Sequence, residues 1–196
     1  MSPFSQAGIL LVNSIGSLVL LVFIMRFLLQ LVRADFYNPI SQFVVRFSNP
    51  LLIPLRRVIP GFGGLDIASL VLAYSSQLIL MALILVIVGQ PGLPWMNLVI
   101  WAGVGLLSLL VNIYFWGMII MVIASWVAPN SYNPALILVN QILEPLIRPV
   151  RQRMPDLGGM DLSPIVVFLI IQMFEILVLN PLAALTGMPR GLAIGF

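Results

Sequence analysis

The chain has no cysteine, no lysine and no histidine; its nine basic residues are all arginine. Without Cys there are no disulfides, no thiol nucleophile and no Cys-ligated zinc or iron–sulfur site. Without His, the commonest metal ligand and the usual general base near neutral pH are gone. Without Lys there is neither a Schiff base nor a P-loop. Charged residues of either sign make up only 8% of the 196 residues, against about 25% in soluble domains. The net charge of +3 is small and scattered, which argues against direct binding of nucleic acid. These gaps exclude most catalytic designs, so no enzymatic activity and no cofactor or metal are expected.

What is present is hydrocarbon. Hydrophobic residues account for 61% of the chain, too many to keep in water as a monomer. Four apolar runs, at about 8–32, 67–88, 98–127 and 162–185, stand out. Each exceeds the ~20 residues needed to cross ~30 Å of hydrocarbon at ~1.5 Å per residue. The fold class is therefore an all-α membrane protein with four transmembrane helices. The first run has no basic segment before it and no small-residue cleavage site after it, so it is expected to be retained as a span. The short Gly89–Asn97 link has the Gly/Pro chemistry of a tight hairpin, with Trp95 suited to the membrane interface.

Arginine placement predicts the orientation. Arg33, Arg46, Arg56 and Arg57 follow the first span, Arg148, Arg151 and Arg153 follow the third, and only Arg190 lies on the other side. By the positive-inside rule both connectors face the cytoplasm and both termini face outward. The connectors are not plain loops. Ile40, Phe43, Val44, Phe47 and Leu51 recur at helical spacing against Gln42, Arg46 and Asn49. Leu138, Val139, Ile142 and Leu146 do the same against Gln141, Glu144 and Arg148. Each reads as an amphipathic helix lying flat in the interface, over about 38–60 and 133–155; packing of the same face on the protein's own spans rewards the same periodicity.

Shifting the chain by 95 positions superimposes Tyr37-Asn38-Pro39 on Tyr132-Asn133-Pro134. Pro50, Pro54, Arg56 and Pro60 fall on Pro145, Pro149, Arg151 and Pro155, and Gly63-Gly64 with Asp66 on Gly158-Gly159 with Asp161. Shared hydrophobicity does not supply matching prolines, glycines and charges. The chain is thus two tandem repeats, 1–95 and 96–196, each built as span, amphipathic connector, span. An even number of spans per unit keeps the copies parallel, unlike the inverted repeats of many transporters.

The stretch Asn49–Asp66, NPLLIPLRRVIPGFGGLD, and its echo Glu144–Pro164 resemble the YggT family of bacterial and plastid membrane proteins, over nearly the whole chain. The resemblance implies residence in a bacterial inner membrane and no established enzymatic activity. It further implies links to osmotic stress tolerance and ion homeostasis, to division and nucleoid organisation, or to maturation of a plastid cytochrome b. A scaffold or assembly factor is the leading reading; a small ion-transport component, carrying K⁺ or coupled to H⁺, is the alternative. Expected partners are anionic lipid headgroups, a second copy of the chain, or other membrane proteins.

Several side chains carry these readings. Asp66 and Asp161, each after a Gly-Gly pair, are placed to cap the helices that follow; a proteolytic aspartate pair is the sharper alternative, disfavoured by their place at span ends. Arg56, Arg57, Arg151 and Arg153 are candidate headgroup contacts, at ~1 kcal/mol per basic residue near an anionic surface. Arg26 and Glu175 lie inside spans, where a charge costs roughly 2.5–3.5 kcal/mol on the insertion scale. Arg26 is expected to snorkel to the interface. Glu175 lies too deep for that, so with Gln172, its repeat mate Gln77, and Arg26 it makes a candidate intramembrane polar site; interhelical hydrogen bonding is the plainer explanation.

Overall fold

The computed structural model describes residues 2–90, 92–128, 131–154, 161–189 and 191–195. Pro155, Gly158, Gly159 and Arg190, singled out in the sequence, lie outside the described residues. Helix α1 (Pro3–Leu31) is followed by α2 (Pro39–Val58), α3 (Ile67–Val88), α4 (Trp95–Val127) and α5 (Pro134–Arg151). The last span is α6 (Ser163–Phe174), a π-helical segment (Glu175–Leu179) and α7 (Asn180–Leu185). Four helical stretches, Pro3–Leu31, Ile67–Val88, Trp95–Val127 and Ser163–Leu185, are long and apolar enough to cross a membrane.

Local chemistry sets these boundaries. Asn38 and Asn133 cap α2 and α5 by accepting the N–H groups of Ile40 and Ala135, each at 2.9 Å, with Pro39 and Pro134 in the first turn. Helix α3 ends at Gly89, whose φ of 78° suits glycine. Between α2 and α3, Phe62 and Leu65 bond each other's backbones at 3.2 and 2.9 Å around Gly63 and Gly64. Both glycines have positive φ, 61° and 85°, as this primed two-residue turn demands. The turn brings Asp66 back beside the end of α2.

The connector helices fall within the stretches expected of them, and their internal prolines do not end them. Helix α2 continues through Pro50 and Pro54, and α5 through Pro145 and Pro149. Each proline removes one backbone donor. Both prolines of each connector are exposed and four residues apart, on one face of the helix. The apolar face of α2 also divides. Val44 and Leu52 are buried with Ser41 and Ser48, while Phe43, Phe47 and Leu51 are left exposed.

The spans pack around four apolar clusters. Leu20, Phe23 and Ile24 of α1 meet Ala73 of α3 and Leu106 and Leu109 of α4 near the centre. On the connector side, Leu28 and Leu29 meet Val44 of α2 and Leu138 and Ile142 of α5. A second cluster on that side joins Met118, Leu143, Ile147, Val167 and Ile171. On the opposite side, Met81 and Leu85 pack with Leu98, Trp101, Met188 and Leu192. Helices α1 and α3 approach so closely that a Cβ on Gly16 would sit 2.5 Å from Leu80 Cδ2.

The last described residues do not trail away from the bundle. After α7 the chain turns back along α4: the Trp101 indole donates to the Thr186 carbonyl at 3.0 Å. Farther along, Ser108 and Asn112 both donate to the Gly195 carbonyl, the amide at 2.6 Å. Between Trp101 and Asn112 lie about three turns, roughly 16 Å of helix. The segment therefore runs back toward the middle of the bundle, where Gly105 makes room for Gln77 and Ala193.

Candidate functional site

Two polar centres emerge, at different depths. The first joins α2 to α3 on the connector side. Arg56 donates to Asp66 through Nη2 at 2.5 Å and Nε at 3.4 Å, and through Nη2 to Gln30 Oε1 at 3.1 Å. Asp66 also accepts the Ser69 N–H at 3.3 Å, so it caps α3 and pairs with arginine together. In the second repeat, Arg151 Nε donates to Asp161 at 2.8 Å, and Asp161 accepts from the backbone and hydroxyl of Ser163 at 2.9 and 2.5 Å. Partial burial pushes the Asp161 carboxyl up, but the hydrogen bonds from Ser163 and the Arg151 guanidinium outweigh it and hold the group below its ordinary range. The sequence reading left these ion pairs out. The signal was there, because Arg56 and Asp66 recur ten residues apart as Arg151 and Asp161.

The four candidate headgroup arginines are therefore not alike. Arg56 and Arg151 are engaged by aspartates, whereas Arg57 and Arg153 are exposed without a carboxylate partner among the described residues, Arg153 donating to the Pro149 carbonyl. Arg46 and Arg148 are exposed as well. Tyr37 and Tyr132, 90% and 91% exposed, stand where each connector begins. The connectors are also tied to each other: Asn38 Nδ2 donates to the Pro134 carbonyl at 2.7 Å, and the Asp35 N–H to Gln141 Oε1 at 3.2 Å.

Arg26 is directed to the connector side, as snorkelling implies, but it is buried there. It is only 6% exposed, and its guanidinium lies 5.4 Å from the centre of the Phe36 ring. The loop after α1 folds Phe36 back over it, so the side chain is covered before it reaches the surface.

The second centre lies within the last span. A cavity of about 570 Å³ is lined by Ser108 and Asn112 of α4, Glu175, Asn180, Met188 and Gly195 among others. Glu175 is twelve residues into the span, roughly 18 Å at ~1.5 Å per residue, so it sits near the middle of a ~30 Å core. Its carbonyl accepts the Asn180 N–H across the widened π turn. Pro181 accounts for that turn: a proline strains the carbonyl four residues before it, and a π bulge relieves the clash. The span expected from hydropathy stays continuous from Ser163 to Leu185 but carries a π turn at Glu175–Leu179, for which Pro181 was the missed signal.

The structure does not bring the candidate intramembrane residues together. Glu175 faces the cavity, Arg26 sits near Arg56 and Asp66, and Gln172 is half-buried away from the cavity lining. Gln77 is fully buried, and neither of its amide atoms has a hydrogen-bond partner. The two repeats also differ where the cavity opens. Gly16 and Leu80, in tight contact in the first repeat, correspond to Val111 and Glu175 in the second. Among the described residues no three acidic side chains gather closely enough to hold a metal ion.

Comparison with known proteins follows the same repeat. The family model described as CCB3/YggT matches twice, at residues 5–87 and 100–182, again 95 positions apart. An uncharacterised protein of Pseudomonas aeruginosa is 55% identical over 195 residues, 99% of each chain. The Escherichia coli protein YggT, also described as uncharacterised, is 37% identical over 181 residues, 91% of this chain and 92% of its own. An uncharacterised protein of Haemophilus influenzae is 33% identical over 184 residues, covering 90% and 93%. No solved structure matches the chain.

Proposed function

Because this chain belongs to the CCB3/YggT family of two-repeat membrane proteins, we propose that it is a non-enzymatic scaffold or assembly factor whose connector face gathers anionic lipid and partner proteins. The observation that carries this reading is the joining of α2 and α5 into one surface. Asn38 to Pro134 and Asp35 to Gln141 link the connectors, while Arg46, Arg57, Arg148 and Arg153 stay exposed around them. Exposed Phe43 and Phe47 give α2 an apolar edge suited to the acyl boundary. On this reading the surface faces the cytoplasm of a bacterial inner membrane, where anionic lipid and arginine meet, and the work belongs to envelope maintenance, osmotic stress tolerance or division.

The test is lipid selectivity. Protein reconstituted in mixed phosphatidylcholine and phosphatidylglycerol bilayers should enrich spin-labelled phosphatidylglycerol at its boundary. Replacing Arg46, Arg57, Arg148 and Arg153 together with Gln should abolish the enrichment. Equal enrichment by both proteins would overturn the proposed face.

A second reading rests on the polar cavity. A carboxylate at mid-depth beside Ser108, Asn112 and Asn180 offers oxygen donors of the kind hard cations and protons use. It supports a small ion-transport component acting in osmotic adjustment. K⁺ flux into liposomes holding the wild type, lost in Glu175→Gln, would support it; no flux from folded wild-type protein would remove it.

A further inference from the structure

We infer that Arg26 and Arg56 form an internal phosphate-binding site in the first repeat, taking the phosphate of an anionic phospholipid or a free phosphate ion. The inference deepens the lipid-gathering reading by adding one specific site to a diffuse surface.

The argument begins with unused donors. Arg26 is 6% exposed, and its Nε and Nη1 are buried without any acceptor. Phe36 attracts the charge through its ring face, but a ring face does not accept those in-plane N–H groups. The neighbouring acceptors are already engaged. Gln30 Oε1 takes Arg56, and the Asp66 carboxylate takes Arg56 twice and the Ser69 N–H once. A buried charged donor without an acceptor is costly, so the cluster calls for one from outside.

Charge balance points the same way. Arg26 stands one turn before Gln30 on the same face of α1, and Gln30 holds Arg56, which in turn holds Asp66. Two guanidiniums and one carboxylate leave the cluster one positive charge in excess. The second repeat supplies the contrast: Met121 stands where the first has Arg26, and Arg151 is balanced by Asp161 with Glu144 at 3.8 Å. Depth favours a phosphate. Arg26 is five residues before the end of α1, about 7.5 Å along the helix, near the level where acyl chains give way to headgroups. Arg56, with 34% of its side chain exposed, opens the cluster to the outside. Guanidinium pairs match phosphate oxygens in both charge and geometry.

Native mass spectrometry of protein released from mild detergent tests the site. The wild type should hold one phosphatidylglycerol per chain after extensive washing, and Arg26→Met should lose it at least tenfold faster. Met121→Arg, which copies the arginine into the second repeat, should hold two; this gain keeps the test valid even where Arg26→Met folds poorly. The surface variant with Arg46, Arg57, Arg148 and Arg153 replaced should keep its one tight lipid while losing boundary enrichment, so the two ideas fail separately. If lipid-free protein is instead stabilised by millimolar inorganic phosphate, and Arg26→Met is not, the ligand is a free anion. A folded Arg26→Met that binds lipid and phosphate like the wild type would overturn the site.

Discussion

Arg56 and Asp66 meet at 2.5 Å with the aspartate side chain only 2% exposed, whereas their repeat mates Arg151 and Asp161 meet at 2.8 Å with the aspartate 41% exposed. The same pair thus stands in two environments within one chain. Breaking a buried pair costs ~3–5 kcal/mol because a charge is left behind, while an exposed pair contributes ~0–1 kcal/mol. Arg56 is a third exposed, which puts its pair toward the lower end of the buried range. Asp66→Asn should therefore destabilise the detergent-solubilised protein by about 3 kcal/mol and Asp161→Asn by under about 1 kcal/mol. Denaturation in graded detergent–denaturant mixtures measures both; equal losses would contradict the difference in burial.

Acid should act on the second repeat through Asp161. Its folded carboxyl is held below the ordinary value of 3.8, so its contribution to stability is complete above that value. That contribution is lost as pH falls through the depressed folded value. Proton-detected exchange at the start of α6 should stay slow down to about pH 4 and quicken below it. Asp161→Asn should remove the acid-dependent part.

Glu175 should reduce stability. Its repeat mate Leu80 packs against Gly16, and a leucine avoids the roughly 2.5–3.5 kcal/mol of placing a charge at mid-span. Glu175→Leu is expected to raise the melting temperature by several degrees. A lower melting temperature would show instead that the carboxylate ties the bundle together.

Gly105 holds the returning segment in place. A Cβ there would stand 2.5 Å from Gln77 Nε2 and 2.6 Å from Ala193 Cβ. The glutamine end can turn aside; Ala193 moves only with its backbone. Gly105→Ala should loosen residues 191–195, seen as faster hydrogen exchange there and little change at α1 and α3. Unchanged exchange would mean that the segment is not held by this contact.

Much of the fold was legible because hydrocarbon thickness constrains sequence so strongly. The run 67–88 matches α3 at both ends, and the connector helices begin at the asparagine–proline pairs that the repeat marks. Interruptions were harder to read. A π turn depends on where a proline's predecessor carbonyl points, and hydropathy does not register Pro181 among its apolar neighbours. The site was partly legible. Glu175 stood out by the cost of its charge, but its companions Asn180 and Gly195 come from across a π turn and from a returning segment. The three- and four-residue spacing of a regular α-helix connects neither to Glu175. Arg26 was equally conspicuous, yet its direction depends on Phe36, ten residues away in a loop.

The unlike meeting of the two repeats has a consequence for assembly. Where one repeat seals Gly16 against Leu80, the other opens a polar groove at Glu175, so among the described residues this groove belongs to the second repeat. Chains in a membrane share one orientation, and two of them facing groove to groove are related by a twofold axis along the bilayer normal. Such a contact is self-complementary and closes at two. An association that shelters Glu175 in this way therefore ends at a pair.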